Sequence, residues 1–534
     1  MMLYAILFMS GGSILALELL ASRILTPYFG VSLYIWTGIL SITLVALALG
    51  YWAGGRLAAG PRVASNAARL AQLYALMPAV AAFAVVAACL VYPYLFPRLA
   101  GADLVWGAFA ACIVLLFVPL VAASAMNPLL VALLLARGGG RAGDAGAGKV
   151  FFISTIGSVA GVLVTAFGLI PYVSNFSATL AVALALAVLS LAAAARPPAP
   201  LASRRRLGIA AGAAALIAAL FLWLADAYTG RMWPANYGGR AWQVEGRFSS
   251  HFGTVKVLRS EAGDDGSFVR IYFQDGLVQN TVASDGRSQS FYTYALEALA
   301  HAYRPGMRSA LVLGLGAGIV PMRLAGQGVA VEAVEIDPAS VAAAGRYFGF
   351  DATRVPVQLA DARTRLKRCD RSYDVIVVDL FHGDGTPDYL LTRDFFRDLK
   401  HCLGEGGLAV FNTFADLDHP VAYAHLLATM RAELPHLVLY RPDRPGAAHV
   451  NSFIVAGSAA LPVPLAVNLD HVPPQHADSL YEMMLRPFTL NRELLQDGEI
   501  VTDARNRALH DMAQGQIYYR RAVVQALPAA FLVN

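Results

Sequence analysis

In the second half of the chain, small residues and carboxylates recur at the spacing a nucleoside needs. Gly314, Gly316 and Gly318 directly follow the apolar run Leu311, Val312, Leu313. Three glycines at the carboxyl end of a strand let the backbone approach a ligand closely where the next helix begins. Glu335 ends the following strand about twenty residues on, where a carboxylate can accept hydrogen bonds from both ribose hydroxyls. Asp361 follows the next short strand and, with Ala362 beside it, can receive the exocyclic amine of an adenine. A dinucleotide site is the competing reading, but its glycines follow a tighter phosphate-cradling pattern, with a small residue where Pro321 stands. The set points to an adenosyl-sulfonium nucleotide.

These residues need a sheet to hold them. From about residue 309, buried-strand runs (310–313, 331–335, 373–379 and 408–411) alternate with helical segments, the pattern of a doubly wound, Rossmann-like α/β fold. From about 240 to 305 the pattern is instead short alternating strands, as at 253–258 and 268–273, separated by the turn-rich 263–266. A small β-rich subdomain is expected there. The expected division is 1–228, 229–305 and 306–534.

The first of these segments belongs in a different solvent. A chain of 534 residues with 57% hydrophobic and 14% charged residues is too apolar for an ordinary soluble enzyme, and its apolar runs lie almost entirely before residue 225. Runs long enough to cross a bilayer fall near 3–22, 35–53, 70–92, 104–136, 150–170, 176–195 and 207–225, about seven spans in an α-helical bundle. The 104–136 run carries Pro119, Asn127 and Pro128 and reads as one kinked helix or a broken pair. The net charge of +5 comes largely from arginines in short loops, which marks cytoplasmic loops and not a nucleic-acid surface. With every run spanning once, that rule places residues after 225 outside the cytoplasm. A cytosolic nucleotide favours the opposite side, with 207–225 interfacial or re-entrant, so the side of the second half stays open. The N-terminus lacks a basic n-region and carries Glu18 and Arg23, so it reads as a retained span, with Glu18 a candidate functional group or a structural one. Gly157, Ser158 and Gly161 read as close helix packing. Cys89, Cys112, Cys369 and Cys402 are scattered, and neither a disulfide framework nor a metal site is expected.

On these motifs the chain resembles the spermidine synthase (polyamine aminopropyltransferase) family, in the bacterial branch fused to a multi-span membrane domain. The soluble half matches at Gln279, Asp285, Tyr292, the glycine loop, 334–337, Asp361, 373–379 and 501–503; the membrane half at 17–23, Trp36, 54–56 and 157–161. The resemblance implies a multi-pass protein of the bacterial inner membrane whose partners are a small-molecule substrate and the lipid bilayer, with a homo-oligomer left open. It implies attack by an amine on the methylene beside the sulfonium of decarboxylated S-adenosylmethionine, releasing methylthioadenosine without a metal. Asp379 takes the family's base position; a strand-end carboxylate capping the next turn is the structural reading. Gln279 joins the nucleotide set, and Asp285, Tyr292, His382 and Asp384 form the acceptor or gate region.

Two departures bear on the substrates. Ala317 stands where the family carries the acidic residue that holds the aminopropyl ammonium, which opens the site to intact S-adenosylmethionine. His382 stands where a second acidic residue grips the amine, with Asp384 close by, and the tyrosine-histidine pair is altered to Phe291, Tyr292, Thr293, Tyr294. Four other readings therefore stay open: aminocarboxypropyl transfer, lyase action on intact S-adenosylmethionine, methyl transfer, and a nucleotide-sensing membrane transporter.

Overall fold

A computed structural model describes residues 2–31, 33–60, 63, 66–138, 144–195, 201–380, 387–416, 420–443, 449–488 and 498–534. The chain divides into two compact units, Met1–Tyr237 with Val524–Asn534, and Gly238–Val523.

The first unit is helical: α1 (Met2–Phe29), α2 (Leu33–Ala59), α3 (Ala67–Ala102), α4 (Leu104–Cys112), α5 (Val118–Gly138), α6 (Asp144–Val164), α7 (Asn175–Ala194), α8 (Leu201–Trp223) and α9 (Ala225–Gly230), then a short strand β1 (Ala235–Tyr237). Among the described residues, seven helical stretches are long and apolar enough to cross a membrane. The overlong run is one continuous stretch, Leu104–Arg137, in which a π-helical segment, Ile113–Phe117, joins α4 to α5. Widening the turn just before Pro119 lets the helix continue where the ring would otherwise meet the preceding carbonyl. Asn127 and Pro128 do not interrupt α5, and α8 runs unbroken from Leu201 to Trp223, ending two residues before the close of the 207–225 run.

Helix α1 approaches α6 through small residues. A methyl added at Gly157 would overlap the Phe8 carbonyl oxygen, one at Gly161 that of Gly12, and the Ser158 hydroxyl donates to the Gly11 carbonyl at 2.9 Å. Backbones this close leave no room for side chains at these positions.

The second unit opens with β2 (Arg240–Ser249), β3 (Thr254–Ser260), β4 (Val269–Gln274) and β5 (Leu277–Ala283), antiparallel neighbours in that order. There follow α10 (Phe291–Tyr303), β6 (Ser309–Leu313), α11 (Ile319–Gly326), β7 (Ala330–Glu335), α12 (Pro338–Tyr347), β8 (Val357–Leu359), α13 (Ala362–Lys367), β9 (Tyr373–Val378), α14 (Arg393–His401), β10 (Leu403–Asp416), α15 (Val421–Arg431), β11 (His436–Tyr440), β12 (His449–Gly457) and α16 (Pro474–Leu485). Their strands form a seven-stranded sheet in the order β11-β12-β10-β9-β6-β7-β8, parallel except for β12.

Both faces of this sheet are covered. Alternate residues of the central strands enter two apolar clusters: Val312, Val375, Val377 and Val410 pack with α10, whereas Leu311, Leu313, Ile376 and Val378 pack with α14 and α15. That is why β6 and β9 read as unbroken apolar runs. The order of neighbours reverses between β6 and β9, and loops leaving their carboxyl ends part to opposite sides, opening a crevice.

The expectation that no disulfide forms is corrected. Cys369, after α13, and Cys402, capping α14, are joined with Cα atoms 5.8 Å apart. They are 33 positions apart in sequence, and α14 and β9 bring them together, which scattered spacing alone does not reveal.

Candidate active site

The crevice is a cavity of about 800 Å³ at the carboxyl ends of β6, β7 and β9, closed from one side by β4, β5 and the first turn of α10. Its lining includes Gly314, Leu315, Gly316, Glu335, Asp337, Asp361, Ala362 and Asp379.

The glycine turn is shaped by what surrounds it. Gly314 has φ +92° and Gly318 φ +76°, and a methyl at Gly314 would overlap the carbonyl oxygen of Asp379. The turn packs backbone to backbone against the end of β9, where only glycine fits. The Leu315 N–H then donates to Glu335 Oε2 at 2.9 Å, while the Asp337 N–H donates to Oε1 at 2.8 Å. Burial raises the Glu335 carboxyl above its ordinary range, and these backbone donors offset part of that cost.

Asp361 caps α13, its Oδ1 accepting from the Thr364 N–H at 2.8 Å and hydroxyl at 3.0 Å. Its other oxygen accepts from the Tyr389 hydroxyl at 3.0 Å. Burial, together with the adjacent Asp361 charge, pushes the Tyr389 phenol up to about 12. The backbone of that turn is held from behind: Arg363 donates to the Tyr389 carbonyl at 3.2 Å and pairs with Asp503, which also accepts from the Thr392 hydroxyl at 2.8 Å. The late acidic residue of the 501–503 motif therefore acts on the cavity wall through Arg363.

Asp379 follows β9, and its N–H donates to the Leu313 carbonyl at 2.9 Å. Asp379 is half-buried at the cavity wall, and desolvation raises its carboxyl from 3.8 to about 6. A hydrogen bond from Asn412 Nδ2 at 2.8 Å works the other way. One such bond is worth about 1.5–3 kcal/mol, less than the loss of a carboxylate's hydration, so desolvation prevails. This is a carboxyl poised to exchange a proton near neutral pH.

Tyr292, in the first turn of α10, lines the cavity beside Asp379, and its hydroxyl accepts from Asn280 Nδ2 at 3.1 Å. Tyr294 turns away, its hydroxyl donating to the Ser288 carbonyl at 2.8 Å. Gln279 also lines the cavity. Asp285 does not: it sits on an exposed turn, accepting from the Arg287 N–H at 2.9 Å. Ala317 is buried among Val255, Val257, Tyr272 and Ile319, adding no charge. His382 and Asp384 lie outside the described residues.

Sequence reasoning missed Asn412, Asn451, Tyr389, His476 and the ring pair Phe414–Tyr519, all in the lining. For Asn412 a signal exists: a polar residue directly after the apolar run 408–411 marks a strand end on the ligand side. For Asn451 and Tyr519 none does.

Residues 289–437 match the family model described as the spermine/spermidine synthase domain. A polyamine aminopropyltransferase of Vibrio vulnificus is 32% identical over 198 residues, 36% of this chain and 62% of the relative. An N-terminal histidine N-methyltransferase of Emericella nidulans is 32% identical over 138 residues, 25% of this chain and 24% of the relative. The alignments thus span less than two thirds of these curated relatives. A crystal structure of a probable spermidine synthase from Corynebacterium glutamicum is 19% identical, covering 46% of this chain and 88% of that one with a TM-score of 0.37.

Proposed function

We propose that the chain is a membrane-anchored aminopropyltransferase that cleaves an S-adenosyl sulfonium nucleotide, a reading supported by the match of residues 289–437 to the spermine/spermidine synthase domain. The observation that carries this reading is the charge of the cavity. Among the described residues its lining holds four carboxylates, Glu335, Asp337, Asp361 and Asp379, and neither lysine nor arginine. Such a surface suits a donor with a sulfonium and an ammonium, meeting an amine acceptor.

In this reading Glu335 holds the ribose, Asp361 with Ala362 the adenine edge, and Gly316 admits the nucleoside along the turn. Asp379 takes a proton from the attacking amine. The amine nitrogen bonds to the methylene carbon, the carbon–sulfur pair leaves with sulfur, and the neutral thioether methylthioadenosine departs. Sulfur is already positive, so alignment and proton removal are the protein's principal tasks. The seven long apolar helices would set this site at a bilayer.

A second donor is favoured by one observation. Ala317 stands where the resemblance calls for an acidic group and lies in an apolar cluster outside the cavity lining, so this position supplies no carboxylate to repel intact S-adenosylmethionine. The test is to give the detergent-purified chain each donor with and without putrescine and quantify methylthioadenosine. Release that requires both the decarboxylated donor and an amine supports the proposal. Equal release without any amine refutes transfer, and release from the intact donor alone selects the second reading.

A further inference from the structure

Asp379 leaves the sheet in company. Parallel pairing sets Phe411 beside Val378, so the next residues, Asn412 and Asp379, emerge together from β10 and β9. Antiparallel pairing sets Asn451 of β12 opposite Phe414, diagonal to Asn412. Asn451 Nδ2 donates to Asn412 Oδ1 at 2.9 Å, and Asn412 Nδ2 donates to Asp379 Oδ1 at 2.8 Å. All three side chains line the cavity.

The chemistry gives this chain a direction. An ionised carboxylate only accepts, so Asn412 must turn its NH2 toward Asp379, which leaves the amide oxygen facing a place that only a donor satisfies. Asn451 supplies that donor. Without it, Asn412 could rotate and present its oxygen to Asp379, an arrangement that favours the protonated acid.

We propose that Asn451 and Asn412 form a directed amide relay that holds one oxygen of Asp379 and leaves the other for the amine, making both asparagines positioning residues for proton removal. The proposal rests on the reading of Asp379 as the base. Asn412 from β10 donates to the Asp379 carboxyl, the Tyr292 phenol from α10 feels its charge, and the other titratable groups of the described cavity lining are Glu335, Asp337, Asp361, Tyr389, Tyr272, Tyr519 and His476. Burial raises the Tyr292 phenol above its ordinary range, so it stays neutral through the working pH; the Glu335 carboxyl is also raised by burial, so an acid limb is assigned to Asp379 only where it moves with the infrared titration of Asp379.

The test uses the full chain with Asn412→Leu, Asn451→Val, their double variant, and Asn451→Thr, which matches valine in shape but keeps a hydroxyl donor. Two readouts are taken: the acid limb of kcat/KM for methylthioadenosine release, and infrared titration of the Asp379 carboxyl, assigned by its loss in Asp379→Asn. The relay predicts that Asn412→Leu moves both upward by about one pH unit. Asn451→Val should move them by less, Asn451→Thr should restore them toward wild type, and the double variant should match Asn412→Leu alone. Additive shifts, or an unmoved Asn451→Val, would overturn the relay, because a residue acting only through Asn412 has no effect once Asn412 is gone. If no variant, wild type included, releases methylthioadenosine, the infrared titration still decides the relay, and the missing product counts against the proposed function alone.

Discussion

The backbone N–H of Leu315 donates to the carboxylate of Glu335 at 2.9 Å, so the turn after β6 is tied to the end of β7. One side chain thus shapes the turn and faces the cavity where a ribose would lie. Replacing Glu335 by Ala removes both effects, and methylthioadenosine affinity should fall by about tenfold or more, read by titration calorimetry. Glu335→Gln keeps an acceptor for Leu315 and should lose less. Unchanged affinity in Glu335→Ala would remove this residue from the site.

Asp379 makes a prediction of opposite sign for activity and for stability. Its folded value, about 6, lies above its ordinary 3.8. The base form is needed for proton removal, so kcat/KM should rise with pH through about 6. For folding, a raised carboxyl favours the native state below pH 3.8, and that contribution is lost as pH rises through about 6. Asp379→Asn should therefore abolish most turnover, leave methylthioadenosine binding nearly intact, and stabilise the protein above pH 7 by up to roughly 3 kcal/mol. The gain should vanish near pH 4 in thermal melts; a destabilised Asp379→Asn at pH 8 would show that the carboxyl is not strained by burial.

Gly314 and Gly316 separate packing from ligand access. Both have positive φ, but a methyl at Gly314 overlaps the Asp379 carbonyl, whereas one at Gly316 meets nothing within 4 Å. Gly314→Ala should lower stability by about 2 kcal/mol or more, and Gly316→Ala by about 1 kcal/mol. Gly316→Ala should show the larger loss of nucleotide affinity relative to its loss of stability. Equal ratios would indicate that no ligand passes close to Gly316.

Arg363 supports the cavity wall at a distance, holding the Tyr389 carbonyl while paired with Asp503. Asp503→Asn should weaken nucleotide binding several-fold without altering the pH at which turnover rises, because it loosens the Tyr389–Asp361 contact and leaves Asp379 alone. A shifted acid limb in that variant would mean that the two ends of the cavity are coupled.

How much of this could be read in advance follows from sequence distance. The glycine turn, Glu335, Asp361 and Asp379 each sit at the end of a local apolar run, so pattern alone puts them at strand ends on one edge of a parallel sheet. The antiparallel β12 is a different matter, since its insertion beside β10 depends on pairing between residues 408–416 and 449–457, and with it goes the contact of Asn451 to Asn412. The Cys369–Cys402 bond is hidden for the same reason. Asp285, named from the resemblance alone, lies on an exposed turn outside the cavity lining, a place where an acidic residue before a glycine is common.

The account turns on which carbon–sulfur bond breaks. The most direct measurement supplies the full chain with decarboxylated S-adenosylmethionine labelled in its methyl group, together with an amine, and follows the label by mass spectrometry. The predicted result is label retained in methylthioadenosine, formed in equal amount with an unlabelled aminopropylated amine. Label appearing on the acceptor, with the demethylated thioether nucleoside as co-product, would make the chain a methyltransferase and contradict the account.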